Sequence, residues 1–209
     1  MRHLFVVTHP ESVHHIEGRV GGWYDTPLTE RGRRQAAAIA KRLIALTPAQ
    51  GYDAPIFTSD LQRTLGTAQI LAEHLGLELH QDPDLREMSM GNAEGQPHAY
   101  LAEHARPVPS AGRLDYREVA GAETWREFAK RVYRAMDRII DQPHTHSLDV
   151  THGFALSYVI AAWIAMPIPA AAGARFAATP GGITHLWEDD HVGKRNVEML
   201  NQTDHLEGI

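Results

Sequence analysis

Short apolar segments typical of β-strands alternate with helical segments along most of this chain. The first strand segment, residues 4–7, has no polar alternation, as expected for a sheet covered on both faces. The helical segment after it begins behind Thr29, a suitable N-cap, and the next one ends before Gly76, a suitable C-terminal stop. This alternation predicts an α/β fold, a three-layer α/β/α sandwich with a mostly parallel sheet.

The remaining elements follow the same pattern. Further strands are predicted within 54–60, 77–82 and 147–153, and helices within 26–46 after Thr29, within 61–76 before Gly76, within 123–140 and from Ala155 onward. Two closing strands, 181–190 and 195–202, are predicted to form a hairpin around Gly193. Residues 97–121 show no regular pattern and are interpreted as a small insertion. Without repeats or linkers, 209 residues indicate a single domain over 1–209.

Charge and composition exclude several classes of partner. With a formal charge of −6, the chain lacks the basic surface that a nucleic-acid or membrane-surface binder needs. A small anionic substrate could still bind in a local arginine pocket. The chain has no cysteine, which excludes disulfides and thiolate chemistry and fits a cytoplasmic protein. The sequence is compatible with a homodimer, but it does not determine the oligomeric state.

One apolar run, from Phe154 to Ala172, is long enough to raise the question of a membrane span. Pro167 and Pro169 interrupt it, leaving fewer than the roughly 20 residues that a bilayer requires. The first residues also lack the long apolar core of a signal peptide. We therefore predict a buried helix and no membrane partner.

Polar groups follow four of the predicted strands. Ligands of open α/β sheets bind beyond the carboxyl ends of the strands, so these groups are expected to share one site. They are Thr8 and His9, then Ser59, Asp60 and Arg63, then Arg86 and Glu87, and finally Thr151 and His152. Two histidines, an arginine and a glutamate suit phosphoryl transfer through a nucleophilic imidazole. His3 begins its strand at the opposite edge and is expected to take no part.

Five ordered motifs resemble the histidine phosphatase superfamily, also called phosphoglycerate mutase-like. They are "THPES", "GRVGGWYDTPLTERGRRQA", "SDLQRTLGTA", "LREMSMGNAEG" and "VTHG". The resemblance spans nearly the whole chain and implies the phosphoglycerate mutase-like fold. It also implies a phosphatase that works through phosphohistidine and needs no cofactor or metal.

Carried over by position, the resemblance implies four catalytic residues. His9 would be the nucleophile, Arg63 and His152 would hold the phosphoryl oxygens, and Glu87 would protonate the leaving group and then activate water. The candidate substrate-binding residues are Thr8, His15, Arg19 and Trp23. Arg19 is interpreted equally well as a substrate-side cation or an ion-pair partner, and Trp23 as a residue of the site's mouth or a packing residue.

Three positions around the expected phosphate differ from the family pattern. Thr8 stands where the family has arginine, Pro10 where it has glycine, and His15 where it often has asparagine. Losing one such donor typically costs on the order of a hundredfold in rate. We hypothesise that protonated His14, His15 or Arg19 replaces the missing charge.

These residues predict a metal-independent phosphomonoester hydrolase acting on a small phosphorylated metabolite. The alternative is a weakly active or noncatalytic family member that binds a phosphorylated ligand or partner. A mutase is disfavoured because residues 97–121 do not match the basic insertion of the phosphoglycerate mutases. A metallohydrolase is disfavoured because no H-E-x-x-H or similar ligand pair is present.

Overall fold

The computed structural model describes residues 1–47 and 51–209, which build a six-stranded sheet between helical layers. The strands are β1 (Arg2–Thr8), β2 (Ile56–Thr58), β3 (Leu79–Gln81), β4 (His146–Thr151), β5 (Ile183–Glu188) and β6 (Arg195–Gln202). Their spatial order is β3-β2-β4-β1-β5-β6. The first four strands run parallel, while β5 is antiparallel to β1 and β6 to β5. This confirms the predicted α/β fold and the closing hairpin.

Within residues 1–47 and 51–209, seven α-helices accompany these strands. They are α1 (Val13–Ile16), α2 (Glu30–Leu46), α3 (Gln62–Leu75), α4 (Ala99–His104), α5 (Trp125–Ile140), α6 (Gly153–Trp163) and α7 (Ile168–Ala171). The Thr29 hydroxyl accepts from the Gly32 N–H at 2.9 Å and caps α2, and Gly76 ends α3 with a φ of 69°. Both predicted helix boundaries are confirmed. The short helices α1, α4 and α7 were not predicted, because four to six residues carry too little periodicity.

The two faces of the sheet bury separate apolar clusters. Phe5 and Val7 of β1 pack with α2 and α3, whereas Leu4 and Val6 pack with α5 and α6. This alternation follows from the strand period of two residues, and it explains why β1 is apolar at every central position. The arrangement is the predicted three-layer sandwich, with the sheet as its middle layer.

The insertion at 97–121 is more ordered than its sequence suggested. It contains α4 and a 3₁₀ turn at Arg113–Asp115. Val119 packs into a small third cluster with Val20, Met90 and Ala93, against which Leu101 also lies. The expectation of an irregular segment is therefore wrong in part. The insertion folds back over the strand ends where the candidate site lies.

No helix in the described ranges is both long enough and apolar enough to cross a membrane. The apolar run after His152 forms α6, which ends at Trp163. All its residues from Ala155 to Trp163 are buried. This confirms the predicted buried helix.

Asp149 is a buried carboxyl group in the middle of β4. Neither of its oxygens has a hydrogen-bond partner among the residues that the structure describes, and burial raises the pKa of Asp149 from 3.8 to about 8. The folded protein therefore holds a proton on Asp149 between pH 4 and 8, whereas the unfolded chain releases it. Such a group stabilises the fold at low pH, and its contribution is lost as the pH rises to about 8.

We predict that Asp149→Asn makes the free energy of unfolding less dependent on pH between pH 4 and 8. The free energy of unfolding of the wild type should fall, relative to the variant, by up to about 1.4 kcal/mol per pH unit between pH 4 and 8. Urea denaturation of both proteins at pH 5 and 8 measures this, and groups common to both cancel in the difference. A difference that does not change with pH would contradict the assignment.

Candidate active site

The carboxyl ends of the parallel strands open into a cavity of about 450 Å³. Thr8 and Thr151 are register partners in β1 and β4, so the histidines that follow them lie side by side. Six of the eight predicted site residues line the cavity: Thr8, His9, His15, Arg19, Arg63 and Glu87. His152 lies behind this lining, fully buried, and Trp23 also lies outside it. The structure thus brings the ends of four strands together, as expected from the sequence.

His9 is held in one tautomer by its own loop. Its Nδ1 lies 2.9 Å from the carbonyl oxygen of Pro10, to which it donates, and its Nε2 accepts from Nε of Arg63 at 3.2 Å. Burial, together with the nearby Arg63 charge, holds the pKa of His9 well below its usual range. The imidazole is therefore neutral, with a lone pair on Nε2, which is the state that a nucleophile requires.

Arg63 is a buried cation held by backbone carbonyls. Its Nη1 donates to the Tyr24 carbonyl at 3.0 Å, and its Nη2 donates to the Gly22 carbonyl at 2.7 Å. Gly22 has a φ of 57°, and a Cβ at this position would lie 2.9 Å from the Met90 nitrogen, so only glycine fits here. Burial lowers the pKa of Arg63 to about 10, which leaves the guanidinium charged at neutral pH.

His152 packs edge-on against the nucleophile, with 5.2 Å between the ring centres. Its Nε2 lies 2.8 Å from the hydroxyl of Ser59, which in turn lies 2.7 Å from the hydroxyl of Thr64. Its Nδ1 is buried without a partner in the described part of the chain. Burial and the Arg63 charge hold the pKa of His152 well below its usual range.

Ser59 and Thr64 therefore position His152, a role that the sequence reasoning did not assign to them. The signal was present for Ser59, since it is a polar residue directly after β2. Which histidine it contacts depends on β4 lying beside β2, and strand order is not visible in one sequence.

Glu87 carries an enclosed carboxyl group, although the residue as a whole is partly exposed. Its Oε2 accepts from the backbone N–H of Phe154 and its Oε1 from that of Met88, both at 2.9 Å. Burial raises the pKa of Glu87, while these two donors and the charge of Arg63 oppose the rise. The net elevation favours the protonated form that a general acid needs.

Arg86 and Trp23 lie around Glu87 rather than in the cavity. Arg86 points away and pairs with Asp60, with 2.6 Å between Nε and Oδ1, so it is not directed at the carboxyl group. The indole of Trp23 donates to the Glu87 carbonyl at 2.8 Å and lies below the Arg86 guanidinium. Arg131 donates to the same carbonyl at 2.6 Å. Trp23 thus holds the loop that carries Glu87. Its contacts match the predicted packing role rather than a position at the mouth of the site.

Thr8 uses its hydroxyl to join β1 to the segment before β5. The hydroxyl donates to the Thr179 carbonyl at 2.6 Å and accepts from the Gly182 N–H at 3.1 Å. The side chain is buried. Its single proton is therefore already engaged, and Thr8 supplies neither the charge nor the free donors of an arginine.

His14 and His15 are close to the nucleophile but neutral in the free protein. The His15 ring stacks on His9, with 5.4 Å between ring centres, and burial together with the Arg63 charge lowers its pKa. Burial lowers the pKa of His14 to about 3, and its Nδ1 contacts the hydroxyls of Ser12 and Thr26. The hypothesis that a protonated His14 stands ready to replace an arginine is therefore wrong.

Arg19 is the remaining candidate cation of this group. Its Nη1 donates to the Gly95 carbonyl at 2.6 Å, and its Nε lies 3.3 Å from the Glu17 carboxylate. Both of the roles predicted for Arg19 are thus compatible with its position, since it lines the cavity and also forms an ion pair. His98, which the sequence reasoning did not select, lines the same cavity from the insertion.

Despite this density of histidines, no group of three or more His, Asp or Glu side chains within 1–47 and 51–209 is arranged to hold a metal ion. The cavity therefore combines one fixed buried cation, Arg63, with the neutral imidazoles of His9, His14 and His15 and the enclosed carboxyl group of Glu87.

Comparisons with known proteins agree with this geometry. Residues 4–202 match the family model of the histidine phosphatase superfamily (branch 1). "Probable phosphoglycerate mutase GpmB" of Cronobacter sakazakii is 35% identical over 171 residues, which cover 80% of this chain and 77% of that protein.

Two solved structures are similar over nearly the whole chain. Bacillus stearothermophilus YhfR has a TM-score of 0.79 at 27% identity, covering 99% of this chain and all of the other. The α-ribazole phosphatase from Shigella flexneri has a TM-score of 0.77 at 25% identity, covering 96% of each chain. The chain thus belongs to the histidine phosphatase superfamily, with the phosphoglycerate mutase-like fold.

Proposed function

We propose that this protein is a hydrolase of small phosphomonoesters that acts through a phosphohistidine on His9. The observation that carries this proposal is the state of the Nε2 atom of His9. It is unprotonated, lies 3.2 Å from a buried guanidinium nitrogen, and shares one cavity with an enclosed carboxyl group of raised pKa. A nucleophile, a cation and an acid together are the minimum set for phosphoryl transfer.

In the first step, Nε2 of His9 attacks phosphorus and the bond from phosphorus to the ester oxygen breaks. The Glu87 carboxyl group gives its proton to that oxygen, so the product leaves as a neutral alcohol. Arg63 balances charge on the phosphoryl oxygens, and the Pro10 carbonyl stabilises the positive charge that develops on the imidazole through Nδ1–H.

In the second step, water attacks the phosphorus of the phosphohistidine. The Glu87 carboxylate, now deprotonated, takes a proton from this water, and the bond between phosphorus and Nε2 breaks. Inorganic phosphate leaves, and His9 and Glu87 return to their starting states. Glu87 serves both steps because it alternates between acid and base.

Hydrolysis is favoured over mutase chemistry by the lining that the insertion contributes. A mutase must retain an anionic phosphorylated intermediate, which calls for several cations. Here the insertion contributes Leu101, His98 and Glu118 to the cavity, and none of these three is an arginine or a lysine. The names of the relatives include both mutases and phosphatases, which supports phosphoryl transfer as the shared chemistry.

We predict that Glu87→Gln accumulates phosphohistidine when p-nitrophenyl phosphate is the substrate. Its leaving group needs no proton, so the first step survives, whereas hydrolysis of the intermediate loses its general base and slows by about a hundredfold or more. Acid-quenched samples analysed by mass spectrometry should show one phosphoryl group on His9. The His9→Ala variant is the control and should carry none. Equal turnover by His9→Ala and the wild type would refute the mechanism.

We predict that His15 supplies charge only when a phosphoryl dianion is bound, because an adjacent anion raises the pKa of an imidazole. Since its pKa is lowered in the free protein, this support should grow as the pH falls from 8 to 5. The ratio of kcat/KM between wild type and His15→Ala should therefore rise severalfold over that range. His14→Ala is the matched control, because a group with a pKa of about 3 does not titrate there. A flat ratio for His15→Ala would rule this role out.

A second candidate is a weakly active or noncatalytic protein that binds a phosphorylated ligand. The engaged hydroxyl of Thr8 favours it, since the site has one donor group fewer than an arginine would give. The trapping experiment separates the two candidates. Tight phosphate binding without any phosphohistidine, in the wild type and in Glu87→Gln, would favour the binding protein.

A further inference from the structure

A second cavity of about 340 Å³ adjoins the catalytic cavity. Three side chains line both of them, Trp125, Phe154 and Arg175, so these side chains form the wall that the two cavities share. The residues that line only the second cavity are Ser157, Tyr158, Ala172, Gly173 and Ala174. The mechanism above does not use this space.

The shared wall is aromatic. The ring of Trp125 lies 6.0 Å from that of Phe154 at an angle of 71°, and 6.3 Å from that of Tyr158. The Arg175 guanidinium lies 5.2 Å from the centre of the Phe154 ring, which is a cation–π distance. Small residues, Ala172, Gly173 and Ala174, also line the second cavity. A cavity lined by aromatic rings and small residues is suited to a flat apolar group.

Phe154 also links this space to the chemistry. Its backbone N–H donates to the Glu87 carboxyl group at 2.9 Å, and the residue lines both cavities. Glu87 is the proposed proton donor to the leaving oxygen. A group attached to that oxygen therefore begins near Phe154, and Phe154 also lines the second cavity.

The segment that carries Arg175 is anchored to α6. The Phe176 N–H donates to the Ser157 hydroxyl at 3.1 Å, whereas the Arg175 side chain is exposed. The backbone of the wall is thus fixed, while the Arg175 guanidinium is exposed and rests on the Phe154 ring.

We infer that the substrate is a phosphomonoester whose alcohol carries an aromatic ring or a similarly flat apolar group a few bonds from the phosphate. This inference rests on the proposed function. The ring lies on Phe154 and Trp125 and reaches into the second cavity, and Arg175 covers it. Small polyhydroxylated phosphates leave this space unused and are poorer substrates.

A pair of synthetic esters tests the inference, namely 2-(1-naphthyl)ethyl phosphate and ethyl phosphate. Both release primary alcohols, so their leaving oxygens are alike and the ring is the main difference. The wild type should prefer the naphthyl ester by about tenfold or more in kcat/KM, the size expected for aromatic stacking. Ala172→Trp, which fills the second cavity, should bring that ratio close to one. Ala177→Trp in the same segment lies outside both cavities and should keep the preference.

Equilibrium binding keeps the inference testable if turnover is absent. Isothermal titration of the two esters into His9→Ala should give a dissociation constant about tenfold lower for the naphthyl ester. His9-dependent turnover with no preference would overturn the inference while leaving phosphatase activity established, and equal dissociation constants would also overturn it. Selective binding without His9-dependent turnover would instead refute the proposed function and keep the ring site.

Discussion

The contact between His9 and Arg63 is the interaction on which the rest of the site depends. A buried guanidinium is costly unless its donors are satisfied, and here an imidazole nitrogen and two backbone carbonyls accept from it. Those carbonyls belong to the loop at Gly22 and Tyr24, which follows α1. Burial lowers the pKa of His9, and the charge of Arg63 lowers it further, while the same side chain holds the loop in place. Removing Arg63 would disturb charge and backbone together.

Glu87 shows how the fold balances two opposing effects on one carboxyl group. Enclosure raises its pKa, whereas the N–H groups of Met88 and Phe154 stabilise the anion. Phe154 lies in the first turn of α6, where the helix dipole also favours negative charge. A group under both influences can release and recover a proton at little cost, which is what a residue acting in turn as acid and base requires.

Much of this architecture could be predicted because local rules determine it. Thr29 and Gly76 mark helix ends through side-chain capping and backbone freedom, and an apolar β1 indicates a covered sheet. The set of strand ends bearing His9, Arg63, Glu87 and His152 follows from the topology of parallel sheets. Sequence position alone therefore located the candidate site.

What could not be predicted depends on contacts between distant segments. The direction of Arg86 is decided by Asp60, and the place of Trp23 by the carbonyl of Glu87. The charge states of His14 and His15 depend on burial, which sequence proximity does not reveal. The shape of the insertion, and hence of the cavity wall, depends on which residues it packs against.

Thr8 shows what the sequence reveals about one residue and what only the structure adds. From the sequence it is a missing cation, but in the structure its hydroxyl joins Thr179 to Gly182 and so shapes the end of β1. A longer side chain at this position would have to give up both contacts. In the proposed mechanism, charge at the phosphate comes from Arg63, the one cation buried at the nucleophile in the described part of the site, and from His15, which is neutral in the free protein and gains a proton when an anion binds. Such a site holds few charged groups while it is empty, and the binding of an anion favours protonation of a nearby imidazole.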